Sequence, residues 1–427
     1  MAIGAVRERT KGRLWQRVVV AVALVFAGGS AFAMWWMTTL RGLPDIGDPF
    51  DVAAFTENPI PDDENAYTLY AQAARLIGEE PQDNMSFDWS TAGPVEKGWL
   101  EQKREALEIW RLGTERSKAL YIPSRSMNLM TQLTVVDDIR KFMRLAKLEA
   151  GRLEAAGDLE GAWRWDRAIF RSSRHVGHHA TAIERFVGGQ MHSVATRQLI
   201  HWANDPKITP ALVRKALDAV IDDYATTARL SDTLKVEYLT FLKTYDDPNL
   251  VWKCLNDENI SFAGAGKPPW FVRDPKVFSL ARAFRTEPER SRRVVRLVYA
   301  NLLAVCDLPP DRRPPVAATL VGLIPTGKLP LVDLYTMDAS APAPARALTP
   351  AEIRDWFDST LYARQLMGAL KNIVQGIDRE RVTQATLVIA LANRLYEVER
   401  GKAPSTVEEL VGPYLKALPE GYQRIEP

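Results

Sequence analysis

Cysteine is nearly missing from this chain, with Cys254 and Cys306 the only two. A disulfide framework is therefore excluded; the pair either forms one bridge in an oxidising compartment or stays as two buried thiols. Familiar hydrolase signatures are also missing. There is no G-x-S-x-G nucleophile elbow and no H-E-x-x-H metalloprotease helix. Residues 263–269, AGAGKPP, imitate a phosphate loop but lack the earlier glycine and the Ser/Thr after Lys267. Backbone cradle and magnesium ligand are both absent. Strand-like alternation is weak outside 316–336, which leaves a mostly α fold. Asp137-Asp138 and Asp222-Asp223 are adjacent in sequence and on a helix diverge by about 100°. The net charge of +2 names no partner.

Charge is missing altogether from Val18–Met37, a run of 20 residues. As a helix it spans roughly 30 Å, the hydrocarbon thickness of a bilayer. Arg7, Arg9, Lys11, Arg13 and Arg17 precede it; Asp45, Asp48 and Asp51 follow. This asymmetry predicts a single-pass anchor with its N-terminus in the cytoplasm and its body in the periplasm of a bacterial inner membrane. Trp35 and Trp36 sit at the exit, where aromatic rings favour the interface. The alternative is a signal peptide cleaved after Ala31-Phe32-Ala33. Both readings export the body and make nucleic acid an improbable partner.

Beyond the membrane segment the chain divides by composition. Residues 41–61 hold Pro44, Pro49, Pro59 and Pro61 and read as a tether with little regular structure. A helix then starts at Asp62 or Asp63, with Ala66, Leu69, Tyr70, Ala73, Leu76 and Ile77 at helical spacing. Further patterns predict helices over 94–118, 133–156, 159–173, 178–203, 210–228 and 230–244, making 62–245 one helical domain. Gly157-Asp158 marks a turn, and Thr209-Pro210 a helix start. Residues 246–348 read as a Pro/Gly-rich connector region carrying one basic helix at 286–305. Thr349–Glu352 is a capping box that opens a C-terminal helical hairpin unit, 349–427, with a second box at Ser405 and Glu408. Six of the twelve tryptophans, Trp99, Trp110, Trp163, Trp165, Trp202 and Trp356, lie in helical patterns and are assigned to core.

Three local resemblances accompany this reading. Residues 146–169, with Ala162 and the Gly157-Asp158 turn, resemble one tetratricopeptide-type hairpin, which implies a stacking helix pair. Residues 386–422 are similar to type II secretion pseudopilins at Ala390, Leu391, Tyr396, Gly401, Pro404, Leu410, Tyr414 and Pro419, although the pilin processing signal is missing. The anchor, the motif Pro61, Asp63, Glu64, Asn65, Ala66, Tyr70 and this C-terminal pattern together resemble uncharacterised membrane-anchored helical envelope proteins of planctomycete-type bacteria. That resemblance implies no known activity.

Two constellations could carry chemistry. All five histidines fall between His175 and His201. On one continuous helix His175, His178 and His179 would share a face, and with His192 they form a candidate divalent-metal ligand set. Arg292, Arg293 and Arg296 form a basic helix face suited to an anionic partner, with Glu289 placed to neutralise part of it. No catalytic residue and no organic cofactor is assigned. The leading expectation is an anchored helical scaffold that contacts an envelope protein or polymer. The rivals are a metal-dependent extracytoplasmic enzyme and an accessory protein of a secretion system.

Overall fold

A computed structural model describes residues 18–32, 34, 45–55, 59–81, 86–131, 133–256, 274–277, 287–312 and 363–422. Its helices are α1 (18–32), α2 (Ala66–Ile77), α3 (Pro94–Gln102), α4 (Arg104–Thr114), α5 (Thr134–Ala155), α6 (Leu159–Val176), α7 (Ala182–Ala203), α8 (Pro210–Ala225), α9 (Leu230–Asp246), α10 (Pro248–Asn256), α11 (Glu287–Val305) and α12 (Ala363–Arg400). Among the described residues there is no β-strand, only the isolated bridges Asn65–Lys118 and Val411–Leu415. The mostly α reading holds. The strand-like stretch 316–336, the Thr349–Glu352 box and Trp356 lie outside the described residues.

Local chemistry explains most helix boundaries. Asn65, rather than Asp62 or Asp63, caps α2: its Oδ1 accepts from Tyr67 N at 3.2 Å. The same side chain pairs with the backbone of Leu120 through both its oxygen and its amide, tying the helix start to a distant loop. The helix predicted over 94–118 breaks at Lys103, whose ammonium reaches back to the last turn of α2 at Leu76 O, 3.1 Å away. Gly157 turns α5 into α6 with φ +81, a conformation that favours glycine. The connector beginning at 246 holds a helix at once: Asp247 Oδ1 accepts from Asn249 N at 2.8 Å, and Pro248 takes the first helical position of α10. At the C-terminus α12 stops at Gly401, φ +69. The capping box lies one residue later than predicted, Thr406 with Glu409, and opens only a short 3-10 turn, Val407–Leu410.

The core runs through most of these elements. α6 packs on α5 and α7, while α12 lies across α7 and α8. Leu387, Leu391 and Leu395 of α12 share one buried cluster with Trp110, Phe142, Trp163 and Trp202. The C-terminal unit thus completes the core of the 62–245 helices. Trp163 and Trp202 stack at 5.6 Å, and Trp202 Nε1 donates to Leu159 O at 2.8 Å, so the buried indole is satisfied. Gly188 and Gly189 do not break α7. A Cβ on Gly188 would stand 2.7 Å from Ser173 O, so glycine there lets α6 and α7 cross closely. A further group of helices, α9, α10 and α11, buries Phe241, Val251, Tyr299 and Leu302. Cys254 and Cys306 are buried thiols with no disulfide between them.

Within the predicted tether, residues 45–55 have no helix or strand but are docked. Tyr238 donates to Asp48 at 2.6 Å, and Arg296 contacts Asp45 and Asp48 at 2.9 and 3.2 Å. The Phe50 ring meets Tyr238 at 5.5 Å, and the Phe55 ring meets His179 at 5.3 Å.

Candidate functional site

The histidine face assumes a helix that continues through Gly177, and α6 ends at Val176. A Cβ on residue 177 would stand 2.7 Å from an Arg185 nitrogen, so glycine leaves that guanidinium room. His178 and His179 therefore lie in the turn before α7, their rings 4.6 Å apart, with His179 in the left-handed region at φ +46. His175 stays on α6, where its Nδ1 meets Tyr70 OH at 2.7 Å. Burial, reinforced by Arg171, drives its pKa down to about 3. His192 Nε2 meets Tyr224 OH at 2.8 Å, and burial with the nearby Arg174 pushes its pKa well below the usual range. Burial and the neighbouring His179 lower His178 as well. His175, His178 and His192 are thus neutral imidazoles near pH 7, and His175 and His192 are each committed to a separate tyrosine. Among the described residues no three His, Cys, Asp or Glu side chains gather to hold a metal ion.

The basic face of α11 is engaged within the chain. Arg292 pairs with Asp246 and Glu289 at 2.8 and 3.0 Å. Arg293 pairs with Glu289 at 2.8 Å, and Arg296 with Asp45 and Asp48. Sequence reading had anticipated Glu289; the other three carboxylates come from α9 and from the docked segment.

The strongest electrostatic feature is one the sequence reading missed. Glu380 of α12 is buried between Arg174 of α6, at 2.6 Å, and Arg185 of α7, at 3.0 Å. Burial alone would raise the Glu380 pKa, but the two guanidiniums reverse this and hold it at about 2. Arg174 also lies over the rings of Phe170 and Tyr224. The one available signal was Glu380 sitting on the apolar stripe of its helix with Ile373, Ile377 and Leu387. Two more carboxyls lie where α7 begins: the buried Glu184 bonds to Thr181 within a capping box, and the half-buried Glu237 accepts from Ala182 N. Burial raises the Glu237 pKa to about 7, although the Ala182 amide opposes it. Each group has a structural partner, so the network ties α6, α7, α9 and α12 together.

A small surface cleft lies elsewhere, between α5 and α7. This cleft of about 200 Å³ is lined by Arg144 and Lys147 from α5 and by Val194, Arg197 and Gln198 from α7, with Phe87 and Met143 supplying further apolar surface. Arg144 lies over the Phe87 ring at 5.1 Å and pairs with Glu80. One turn beyond Gln198, His201 Nδ1 meets Glu154 Oε2 of α5 at 3.4 Å. Comparison with protein-family models, curated proteins and solved structures finds no match to this chain.

Proposed function

We propose that the chain is a membrane-anchored, extracytoplasmic interaction or scaffold protein of a bacterial envelope. One observation carries this reading: α1 leaves its apolar side chains uncovered. Val25 and Phe26 are each 74% exposed, and Val18, Val19, Val20, Val22 and Leu24 are exposed beside them. A patch of that kind on a soluble surface calls for a covering phase or partner, and the basic residues before it favour a bilayer with the N-terminus inside. Among the described residues no helix is long and apolar enough to cross a membrane; the described part of the predicted span is α1 and Met34. A docked segment at 45–55 supports the scaffold reading, because it joins the anchor to a packed body rather than to a free tail.

The test is extraction and topology of the full chain. Alkaline carbonate should leave it in the membrane pellet, and protease added outside spheroplasts should digest the body. Release of the full-length chain by carbonate, or a body protected from protease, sinks the reading. A mature chain beginning at Met34 removes the anchor and keeps only export.

A further inference from the structure

We propose that the α5–α7 cleft binds a small organic anion, a phosphate or carboxylate carried on a short apolar body. The first ground is an imbalance of charge along the two helices that line it. α5 has five cations. Arg140, Lys141, Arg144 and Arg152 each have a carboxylate within ion-pair distance, and Lys147 alone has none among the described residues. α7 has two arginines: Arg185 is paired with Glu380, and Arg197 has no such partner among the described residues. The single unpaired cation of each helix lines the same opening.

The nearby carboxyls among the described residues form no ion pair with either cation. Asp88 lies within electrostatic range of Lys147 but forms no ion pair with it, and its Oδ1 accepts from the Ser90 amide and hydroxyl at 3.0 and 2.7 Å. Asp166 of α6 is fully buried, and neither of its oxygens has a hydrogen-bond partner. Burial pushes its pKa above the usual carboxylate range, which disfavours its charged form. Glu80 pairs with Arg144, and Glu154 Oε2 lies 3.4 Å from His201 Nδ1.

The remaining lining sets the ligand's shape. Met143 and Val194 offer an apolar wall, Phe87 a ring, and Gln198 an amide that can orient a polar group. A volume near 200 Å³ falls below the roughly 300–1,000 Å³ of drug-sized sites. It suits one anionic group with a few carbons and excludes a polymer chain threaded through it. The proposal does not depend on the anchor: the cleft can bind or fail to bind whichever way the topology experiment falls.

The probe is phenyl phosphate, titrated calorimetrically into the full chain in a neutral detergent. One saturable site per chain is expected. Lys147→Gln and Arg197→Gln should each weaken it about tenfold, the scale of one charge-assisted hydrogen bond. Neither change breaks an ion pair, so the melting temperature should hold. Val194→Glu, which adds a carboxylate to the lining that Lys147 and Arg197 share, should abolish binding. Phenol and inorganic phosphate should each bind at least about tenfold more weakly than the combined probe. Absence of saturable heat overturns the proposal, as does an affinity unchanged in the Lys147→Gln/Arg197→Gln protein. Inorganic phosphate binding as tightly as phenyl phosphate overturns the apolar half of the assignment. Dihexanoylphosphatidylglycerol, kept below its micelle concentration, distinguishes the sources of this chemistry. Displacement of the probe at lower concentration than phenyl phosphate itself supports a lipid headgroup; failure to displace it supports a soluble metabolite.

Discussion

Replacing Glu380 by Gln tests whether the buried ion triad holds α12 to the body. The side chain keeps its shape but loses its charge, leaving Arg174 and Arg185 buried without a counter-ion. The gap between 4.5 and about 2 in the carboxyl pKa, at 1.36 kcal/mol per unit, corresponds to about 3 kcal/mol. Removing one partner of a buried pair costs about 3–5 kcal/mol in general, so two routes agree. The pH dependence has a definite sign. The folded pKa is depressed, so the carboxylate's contribution is complete above the unfolded pKa and is lost as pH falls from about 4.5 towards 2. Urea unfolding of the full chain, followed by tryptophan fluorescence, should therefore show the variant about 3 kcal/mol weaker at pH 7 and the difference shrinking through that acid window. A triple variant, Arg174→Met, Arg185→Met and Glu380→Leu, should recover most of the loss, because it removes the desolvated charges together. A cost under about 1 kcal/mol at pH 7, or a cost that does not change with pH, would refute the reasoning.

Asp166→Asn should behave in the opposite sense. The folded pKa of Asp166 is raised by burial, so its contribution is most favourable below the unfolded pKa and is lost as pH rises towards the folded one. The variant should be more stable than the parent at neutral pH and equal to it near pH 4, as read from urea midpoints; a gain that persists in acid contradicts this. Gly188→Ala should destabilise. Overpacking against Ser173 O costs about 1–3 kcal/mol and exceeds the roughly 1 kcal/mol of helix propensity gained. Gly189→Ala, with nothing within 4 Å of its Cβ, should stabilise instead. Thermal melts showing both changes with the same sign would sink that account. Arg296→Gln breaks the partly exposed contacts to Asp45 and Asp48 and should cost under about 1 kcal/mol globally. It should also speed cleavage by an Asp-specific protease at 45–51, and unchanged cleavage would count against the docked segment.

Helices with explicit boundary chemistry were legible from sequence: α5 and α6 through Gly157, α8 through Thr209-Pro210. α10 carries the same kind of signal, Asp247-Pro248, but the prolines and glycines that follow it mask the helix in a composition-based division of the chain. Gly188 could not be interpreted from one chain, since its reason is a carbonyl on another helix. The shared histidine face is the part that the structure does not keep: i, i+3 and i+4 neighbours share a face only while the helix lasts, and α6 ends before His178. The Arg174–Glu380–Arg185 triad joins positions about two hundred residues apart, so no local pattern contains it. Lys147 and Arg197 drew no notice either, because a cation on a helix is ordinary. They stand out only when the neighbouring cations are seen to be paired.

That contrast bears on which charges a partner would meet. On the anchored reading, the eight residues from Met37 to Asp45 can span at most about 28 Å. The α9 and α11 surface that grips Asp45 and Asp48 would then stand close to the bilayer, and an unpaired arginine face there would press on anionic headgroups. The arginines are not unpaired. Asp45, Asp48, Asp246 and Glu289 lie within 3.2 Å of their guanidiniums, so on that reading the surface nearest the bilayer would have its positive charge met within the chain. A ligand or partner seeking cations would have to break two-carboxylate contacts at Arg292 or Arg296, but it would break none at Lys147 or Arg197. Electrostatic attraction counts only after the existing partner is displaced, and on that ground an anion meets less competition at the α5–α7 cleft than at the arginine-rich helix α11.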